Sequence, residues 1–61
     1  MINSSNNLRL AFYIDVYDKD EKTGKVYLVD RIKTYSKSDY NTMCYNLSDR
    51  ITNKYTKMEE Y

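Results

Sequence analysis

Residues that could carry out covalent or metal chemistry are scarce in this chain. It has 61 residues, no histidine and a single cysteine, Cys44. Without histidine the chain has no Ser-His or Cys-His nucleophile pair, and a structural zinc site, which needs four Cys or His ligands, is excluded. Cys44 falls within an apolar stripe at helical spacing, which favours a small core residue over a reactive thiol.

The charged segment from Asp18 to Gly24 is a second candidate for chemistry. It resembles a calcium-binding loop only superficially, because Lys22 occupies a ligand position and Val29 stands where a bidentate acid is needed. Its carboxylates are expected to be solvated turn residues, since a general acid needs a desolvated pocket that so short a chain rarely builds. We therefore predict no enzymatic activity, no metal site and no cofactor.

Tyrosine and basic residues could instead serve binding, because the chain has eight tyrosines and ten Lys or Arg residues. On two strands joined by a hairpin, one face would carry the odd-numbered residues Arg9, Tyr13, Tyr17, Lys25, Tyr27, Arg31 and Lys33. Aromatic rings and cations on an open sheet can bind single-stranded nucleic acid. The alternative is an ordinary solvated sheet face, with Asp15 in its middle and a net charge of only +1 on the chain.

The elements that would hold these residues follow from periodicity. Apolar residues alternate from Leu8 to Asp18, as is typical of a half-buried strand. Gly24 allows the positive φ of a short hairpin loop, so Lys25 to Tyr35 is predicted as the return strand. Asp30 would share the apolar face of that strand, which indicates an edge position, a paired cation or a bulged register. The apolar residues expected on that face, beside those of the first strand, are Val26, Leu28 and Ile32.

A helix is predicted to begin at Ser36, because Ser36 to Asp39 resembles a capping box. After Leu47 two interpretations stay open. Apolar residues that continue the helical stripe favour one long C-terminal helix. The segment Ile51 to Thr56 is also rich in β-forming residues, and a third strand would support an otherwise marginal two-stranded sheet. The stripe comprises Tyr40, Met43, Cys44 and Leu47, then Ile51, Tyr55 and Met58.

The length allows one domain at most. We expect a flexible tail at residues 1–7, a single α+β domain at 8–57 and a frayed C-terminus at 58–61. The core of so small a domain is marginal, and one cysteine cannot form an internal disulfide, so we expect a homodimer. No apolar run is long enough to span a membrane, which predicts no membrane partner and a cytoplasmic location.

The segment order and several motifs resemble the small uracil-DNA glycosylase inhibitors of small tailed Bacillus phages. The residues that carry this resemblance are Asp20 to Tyr27 (DEKTGKVY), Ser36 to Tyr40 (SKSDY), Asn46, Asp49 and Ile51. The resemblance extends from about Ala11 to Thr56. It implies a homodimer of subunits in the order ββαβ, with the third strand after the helix. In that family the dimer blocks the DNA-binding face of the host repair enzyme.

The resemblance also implies a partner-binding site on the helix. Tyr40 matches an aromatic residue that helps enclose an apolar side chain, which the enzyme normally inserts into DNA. Cys44 aligns with a contacting tyrosine, and Tyr45 is its neighbour. We expect Tyr40 to be the anchor and Tyr45 to flank it, with polar contacts from Asp39 and Asn41.

This sequence departs from the family pattern in two respects. The family is acidic whereas this chain carries a net charge of +1, and an acid of the family is replaced by Asn41. Both departures weaken mimicry of DNA by charge but leave capture by aromatic residues intact. Inhibition of another host defence or repair enzyme, or single-stranded nucleic-acid binding, remains the alternative function.

Overall fold

The computed structural model describes residues 7–60, which form a three-stranded antiparallel sheet with one helix. The elements are β1 (Leu8–Lys19), β2 (Val26–Thr34), α1 (Lys37–Asn46) and β3 (Ile51–Glu60). The strand order is β2-β1-β3, so β1 is central. The predicted α+β order ββαβ is therefore confirmed, and the alternative of one long C-terminal helix is wrong. The predicted flexible tail, residues 1–7, lies outside the described residues except for Asn7.

The hairpin loop between β1 and β2 is closed by its own backbone. The Asp20 amide donates to the Lys25 carbonyl at 2.8 Å, and the Gly24 amide donates to the Asp20 carbonyl at 2.7 Å. Gly24 has a φ of 77°, which a residue with a Cβ adopts at a cost. The sequence prediction of a positive φ at Gly24 is confirmed.

A β-bulge interrupts the pairing of β1 with β2. Val16 lies opposite Asp30, but Tyr17 lies opposite Leu28, so Val29 is the extra residue on β2. An extra residue reverses which side chains face each side of the sheet beyond it. Ile32 lies on the predicted face, opposite Ile14, whereas Val26 and Leu28 lie on the other face with Tyr17 and Lys19. Their predicted place beside Ile14 and Val16 is therefore wrong.

Helix α1 begins and ends at local hydrogen bonds. Ser36 is the N-cap, and its hydroxyl oxygen accepts from the Asp39 amide at 3.2 Å. The Ser36 amide donates to the Thr34 hydroxyl at 3.1 Å, so this donor is satisfied from β2 and the capping box is only half formed. At the other end the Leu47 amide donates to the Met43 carbonyl, and a turn through Ser48 and Asp49 leads into β3.

Strand β3 pairs with β1 along nearly its whole length, from Tyr17 opposite Ile51 to Leu8 opposite Glu60. The predicted frayed end at residues 58–61 is therefore wrong for 58–60. Met58 to Glu60 are held because β1 begins early enough to supply Leu8 to Leu10 as partners. Tyr61 lies outside the described residues.

Helix α1 covers only one of the two faces of the sheet. Helix α1 packs on the face that carries the even-numbered residues of β1, with the Phe12 and Tyr40 ring centroids 4.9 Å apart. We call this the helix face and the opposite one the open face. A ten-residue helix is about 15 Å long, enough to cover about five strand residues. The buried residues of the helix face span this length of β1, and they are Phe12, Ile14 and Val16.

The described chain is elongated for its size. Its radius of gyration is 15.2 Å, and its extents are 55 × 23 × 12 Å. A compact domain of this length has a radius of gyration of about 10 Å. Much apolar surface consequently stays exposed, including Leu8, Leu10 and Met58 beyond the start of the helix. No helix within residues 7–60 is long and apolar enough to cross a membrane.

Candidate protein-binding site

The predicted site residues all lie on α1, but the structure divides them between two sides of the helix. At about 100° per residue, Tyr40 and Cys44 share the side that faces the sheet. Both are half-buried. Asn41 and Tyr45 lie one turn apart on the adjoining side and are exposed, as is Asp39 in the first turn. The site is therefore one continuous helix surface with a packed part and a free part.

Tyr40 belongs to the packed part of the site. Its ring contacts Phe12 of β1 at an interplanar angle of 31°, so it contributes to the core of its own chain. A hydrogen bond with Cys44 one turn later, followed by partial burial, raises the pKa of the Tyr40 hydroxyl. One side of the Tyr40 ring is therefore covered by Phe12, and only the rest of its surface can meet a partner.

Tyr45 belongs to the free part and is 81% exposed. An aromatic ring this exposed gains little from the fold that carries it, whereas burying it against a partner removes a large apolar area from water. Asn41 precedes it by one turn and offers both a donor and an acceptor. Asn41 and Tyr45, together with Asp39, form the exposed part of the predicted site.

The open face of the sheet is organised around a buried carboxylate. Asp15 is 4% exposed, and Arg31 reaches it from β2 with two hydrogen bonds, Nε to Oδ1 at 2.8 Å and Nη2 to Oδ2 at 3.2 Å. The Tyr55 hydroxyl donates to Asp15 from β3 at 3.4 Å. The hydrogen bonds from Arg31 lower the pKa of Asp15 and outweigh the effect of burial.

Glu59 is the second acidic centre of the open face. Its carboxylate accepts hydrogen bonds from Tyr13, from Tyr35 at 3.1 Å and from Lys33 at 2.8 Å. These donors, Lys33 foremost, lower the pKa of Glu59 to about 2. In return, the hydrogen bond to Glu59 raises the pKa of the Tyr13 hydroxyl. Three donors on one carboxylate join β1, β2 and β3 into a single polar network.

The aromatic rings of the open face are also engaged with one another. Tyr13 and Tyr55 lie opposite each other on β1 and β3 and stack at 5.0 Å with an interplanar angle of 2°. The Lys57 ammonium lies 5.3 Å from the Tyr13 ring centroid, and the Lys33 ammonium lies 5.8 Å from it. Ring faces that contact a second ring or a cation offer less area for stacking on a nucleic-acid base.

The structure brings together most of the residues predicted to form a nucleic-acid surface. Arg9, Tyr13, Tyr17, Arg31 and Lys33 share the open face, whereas the bulge turns Tyr27 to the helix face and Lys25 lies in the loop. Sequence reasoning missed the acids that pair with these cations across strands. The sequence predicts a frayed end at Glu59, and it does not indicate that Arg31 is the partner of Asp15. The only sequence signal was an acid in the middle of an alternating strand.

Other kinds of site find little support in residues 7–60. No cluster of His, Cys, Asp and Glu that could hold a metal ion occurs there. The described surface also contains no pocket of a size to enclose a small molecule. No protein-family model, curated protein or solved structure matches this chain. The helix surface and the open face of the sheet are thus the two candidate binding surfaces of the described residues.

Proposed function

We propose that the protein is a phage-type homodimeric inhibitor that binds the DNA-binding face of host uracil-DNA glycosylase and blocks uracil excision. The observation that carries the proposal is the accessible aromatic surface of α1, on which Tyr45 is 81% exposed beside Asn41 and Tyr40. The order ββαβ, which the resemblance to this inhibitor class implies, supports it as well. Such an inhibitor would act in the cytoplasm of the host cell.

In the proposed mechanism the helix captures an apolar side chain of the enzyme. Tyr40 and Cys44 form the floor of the contact, because the Tyr40 ring already packs on Phe12 of the sheet and Cys44 lies one turn later on the same side of the helix. Tyr45 closes over the captured side chain from the exposed side of the helix. Asp39 and Asn41 make polar contacts at the rim. Buried aromatic residues of this kind often supply most of the affinity of an interface.

The charge of the chain distinguishes this mechanism from mimicry of DNA. The net charge is +1, and acids of the open face are paired with Arg31 and Lys33. A contact dominated by apolar burial depends weakly on salt, whereas a contact dominated by charge weakens steeply as salt rises. We therefore expect inhibition to persist when the ionic strength is raised.

The direct test measures uracil excision by a bacterial uracil-DNA glycosylase with increasing amounts of the protein. We expect excision to stop near stoichiometric amounts. Full activity at a large excess would overturn the specific proposal. The nucleic-acid alternative is tested by measuring the affinity of the protein for single-stranded oligonucleotides at increasing salt. That alternative requires binding, and an affinity that falls as the salt concentration rises.

Substitutions on the helix test the anchor. Tyr45→Ala is expected to weaken binding to the enzyme at least about tenfold without loss of stability, because Tyr45 is exposed in the free protein. Tyr40→Ala should weaken binding and also destabilise the fold, since its ring contacts Phe12. Tyr35→Ala on the open face is the matched control and should bind as the parent does. Equal affinity of Tyr45→Ala and the parent would exclude Tyr45 from the site.

A further inference from the structure

The bulge at Val29 turns two apolar residues of β2 away from the helix. Val26 lies opposite Lys19 and Leu28 lies opposite Tyr17, so both project from the open face. Without the extra residue both would lie on the helix face. Bulges commonly re-aim a side chain at a functional site, so the two residues displaced in this way are candidates for contact with a partner.

These two residues belong to an exposed apolar patch that crosses all three strands. Ile51 of β3 pairs with Tyr17 from the other side, so Leu28, Tyr17 and Ile51 form one row across the sheet. Leu28 and Ile51 are each 46% exposed, and Val26, one row nearer to the hairpin loop, is 51% exposed. Contiguous exposed apolar side chains typically mark an interaction surface. We call these four residues the apolar patch.

The rest of the open face presents positive charge. Basic residues outnumber acidic ones there, with Arg9, Lys19, Arg31, Lys33 and Lys57 against Asp15 and Glu59. The cations also lie outermost. The Arg31 side chain is 56% exposed, whereas that of Asp15 beneath it is 5% exposed. The Lys33 side chain is 40% exposed, against 24% for Glu59. Carboxylates of a partner would therefore meet basic groups before they met acids.

We propose that the open face binds an amphipathic helix of a partner protein, with apolar side chains at one end and carboxylates at the other. Rows of this face follow one another about every 6.6 Å, because every second strand residue points the same way. Side chains four apart on a helix are separated by about 6 Å along its axis. A helix laid along β1 thus places one side chain over each of four rows. On β2 these rows are marked by Val26, Leu28, Arg31 and Lys33.

Other occupants fit this face less well. A nucleic-acid strand needs free ring faces for its bases, but Tyr13 and Tyr55 stack on each other. A second copy of the same face would bring like charges together, which opposes association. A flat membrane would engage apolar and basic residues at one place, whereas the row of Tyr17 lies about 13 Å along β1 from the row of Lys33.

This second site is independent of the proposed function, because it lies on the opposite side of the sheet from α1. A helix bound to the open face leaves the exposed surface of α1 accessible. One chain therefore has room for two protein partners, one on each side of the sheet.

The probe is a synthetic sixteen-residue peptide with leucine at its second and sixth positions and glutamate at its tenth and fourteenth. Its other positions are alanine or glutamine, which favour a helix. The matched peptide carries lysine in place of both glutamates. Fluorescence anisotropy should show that the protein binds the glutamate peptide at least about tenfold more tightly than the lysine peptide. Equal affinities, or no binding of either peptide, would overturn the proposal.

Two pairs of variants locate the bound peptide. Leu28 and Tyr27 are 46% and 50% exposed and lie on opposite faces. Leu28→Ser should weaken binding of the glutamate peptide about tenfold, and Tyr27→Ser should bind as the parent does. The Lys57 ammonium lies 5.3 Å from the Tyr13 ring centroid on the open face, whereas Lys54 lies opposite Ile14 on the helix face. Lys57→Gln should weaken binding about two- to fivefold and Lys54→Gln should not, which keeps the test valid if Leu28→Ser unfolds.

Three further outcomes would contradict the proposal or separate it from the proposed function. Tighter binding of a single-stranded oligonucleotide, or of anionic phospholipid vesicles, than of the glutamate peptide would assign the face to that partner and overturn the proposal. A dimeric parent that Leu28→Ser converts to monomers in sedimentation equilibrium would assign it to a second copy, with the same consequence. If the peptide binds as expected while uracil excision continues, the open-face site stands and the proposed function fails.

Discussion

The two faces of the sheet are stabilised by different physics although they share the same central strand. On the helix face, α1 covers Phe12, Ile14 and Val16, and apolar burial holds the layers together. On the open face no element of residues 7–60 covers the strands, and hydrogen-bonded ion pairs centred on Asp15 and Glu59 connect them. One face excludes water with a helix, and the other satisfies its polar groups within the sheet.

Neighbouring residues of β1 make the contrast sharp. Ile14 is 1% exposed and Asp15 is 4% exposed, so an apolar and a charged side chain are buried almost equally. Ile14 gains free energy simply by leaving water. The Asp15 carboxylate loses its hydrogen bonds to water on burial. Arg31 and Tyr55 replace those with hydrogen bonds of their own, and the fold therefore tolerates the buried charge. The helix face tolerates changes in shape poorly, and the open face tolerates changes in charge poorly.

The largest effect is expected from Ile14→Ala on the helix face. Truncating a fully buried isoleucine leaves a cavity and costs roughly 2–5 kcal/mol of unfolding free energy. Urea denaturation followed by circular dichroism measures it. Leu10→Ala, on the same strand face but 41% exposed, is the control and should cost clearly less. Equal losses for the two variants would show that the helix covers β1 differently from the arrangement described above.

A smaller loss is expected from breaking the Asp15–Arg31 pair on the open face. Asp15→Ala leaves the guanidinium without its acid, but the Arg31 side chain is 56% exposed and water can hydrate it. We expect Asp15→Ala to destabilise less than Ile14→Ala does, and Arg31→Ala to cost more than Asp15→Ala, because it leaves a carboxylate that is only 4% exposed without its cation. The two effects should also be strongly non-additive, because both remove the same contact. Simple additivity in a double-mutant cycle would contradict a direct pair.

The sequence predicted those parts of the fold that depend on interactions between residues close together in the chain. The alternation from Leu8 onward placed β1, Gly24 placed the hairpin loop, and Ser36 placed the start of α1. Each of these signals concerns residues within a few positions of one another along the chain. The predicted helix residues of the site likewise lie together, because a helix fixes spacing locally.

Features that depend on contacts between distant segments could not be predicted. The C-terminal segment fits both a helical and an extended pattern, through Ile51, Tyr55 and Met58. It forms a strand because it pairs with β1. The bulge at Val29 depends on how two strands align, and no local signal fixed its position. Glu59 becomes the acceptor of a network only once β3 is in register with β1. The open face was therefore the least predictable part of the molecule.

The smallest expected effect is a change in the acid dependence of stability through Glu59. Its pKa is lowered from 4.5 to about 2 in the folded protein, chiefly by Lys33. A lowered folded-state pKa means that the stabilisation is fully present above pH 4.5 and is lost as the pH falls towards 2. Glu59→Gln should therefore flatten the decline of unfolding free energy in that window. Some decline should remain, because the pKa of Asp15 is lowered as well.

Glu60→Gln is the matched control for this experiment, since it removes the adjacent acid, which lies on the opposite face of β3 from the Glu59 network. Added salt should reduce the difference between Glu59→Gln and the parent, because Lys33 is 40% exposed and its pairing with Glu59 is partly screened. The effect of Ile14→Ala should not respond to salt in this way. If Glu59→Gln declines with acid as steeply as the parent, the pairing of Glu59 with Lys33 does not stabilise the open face.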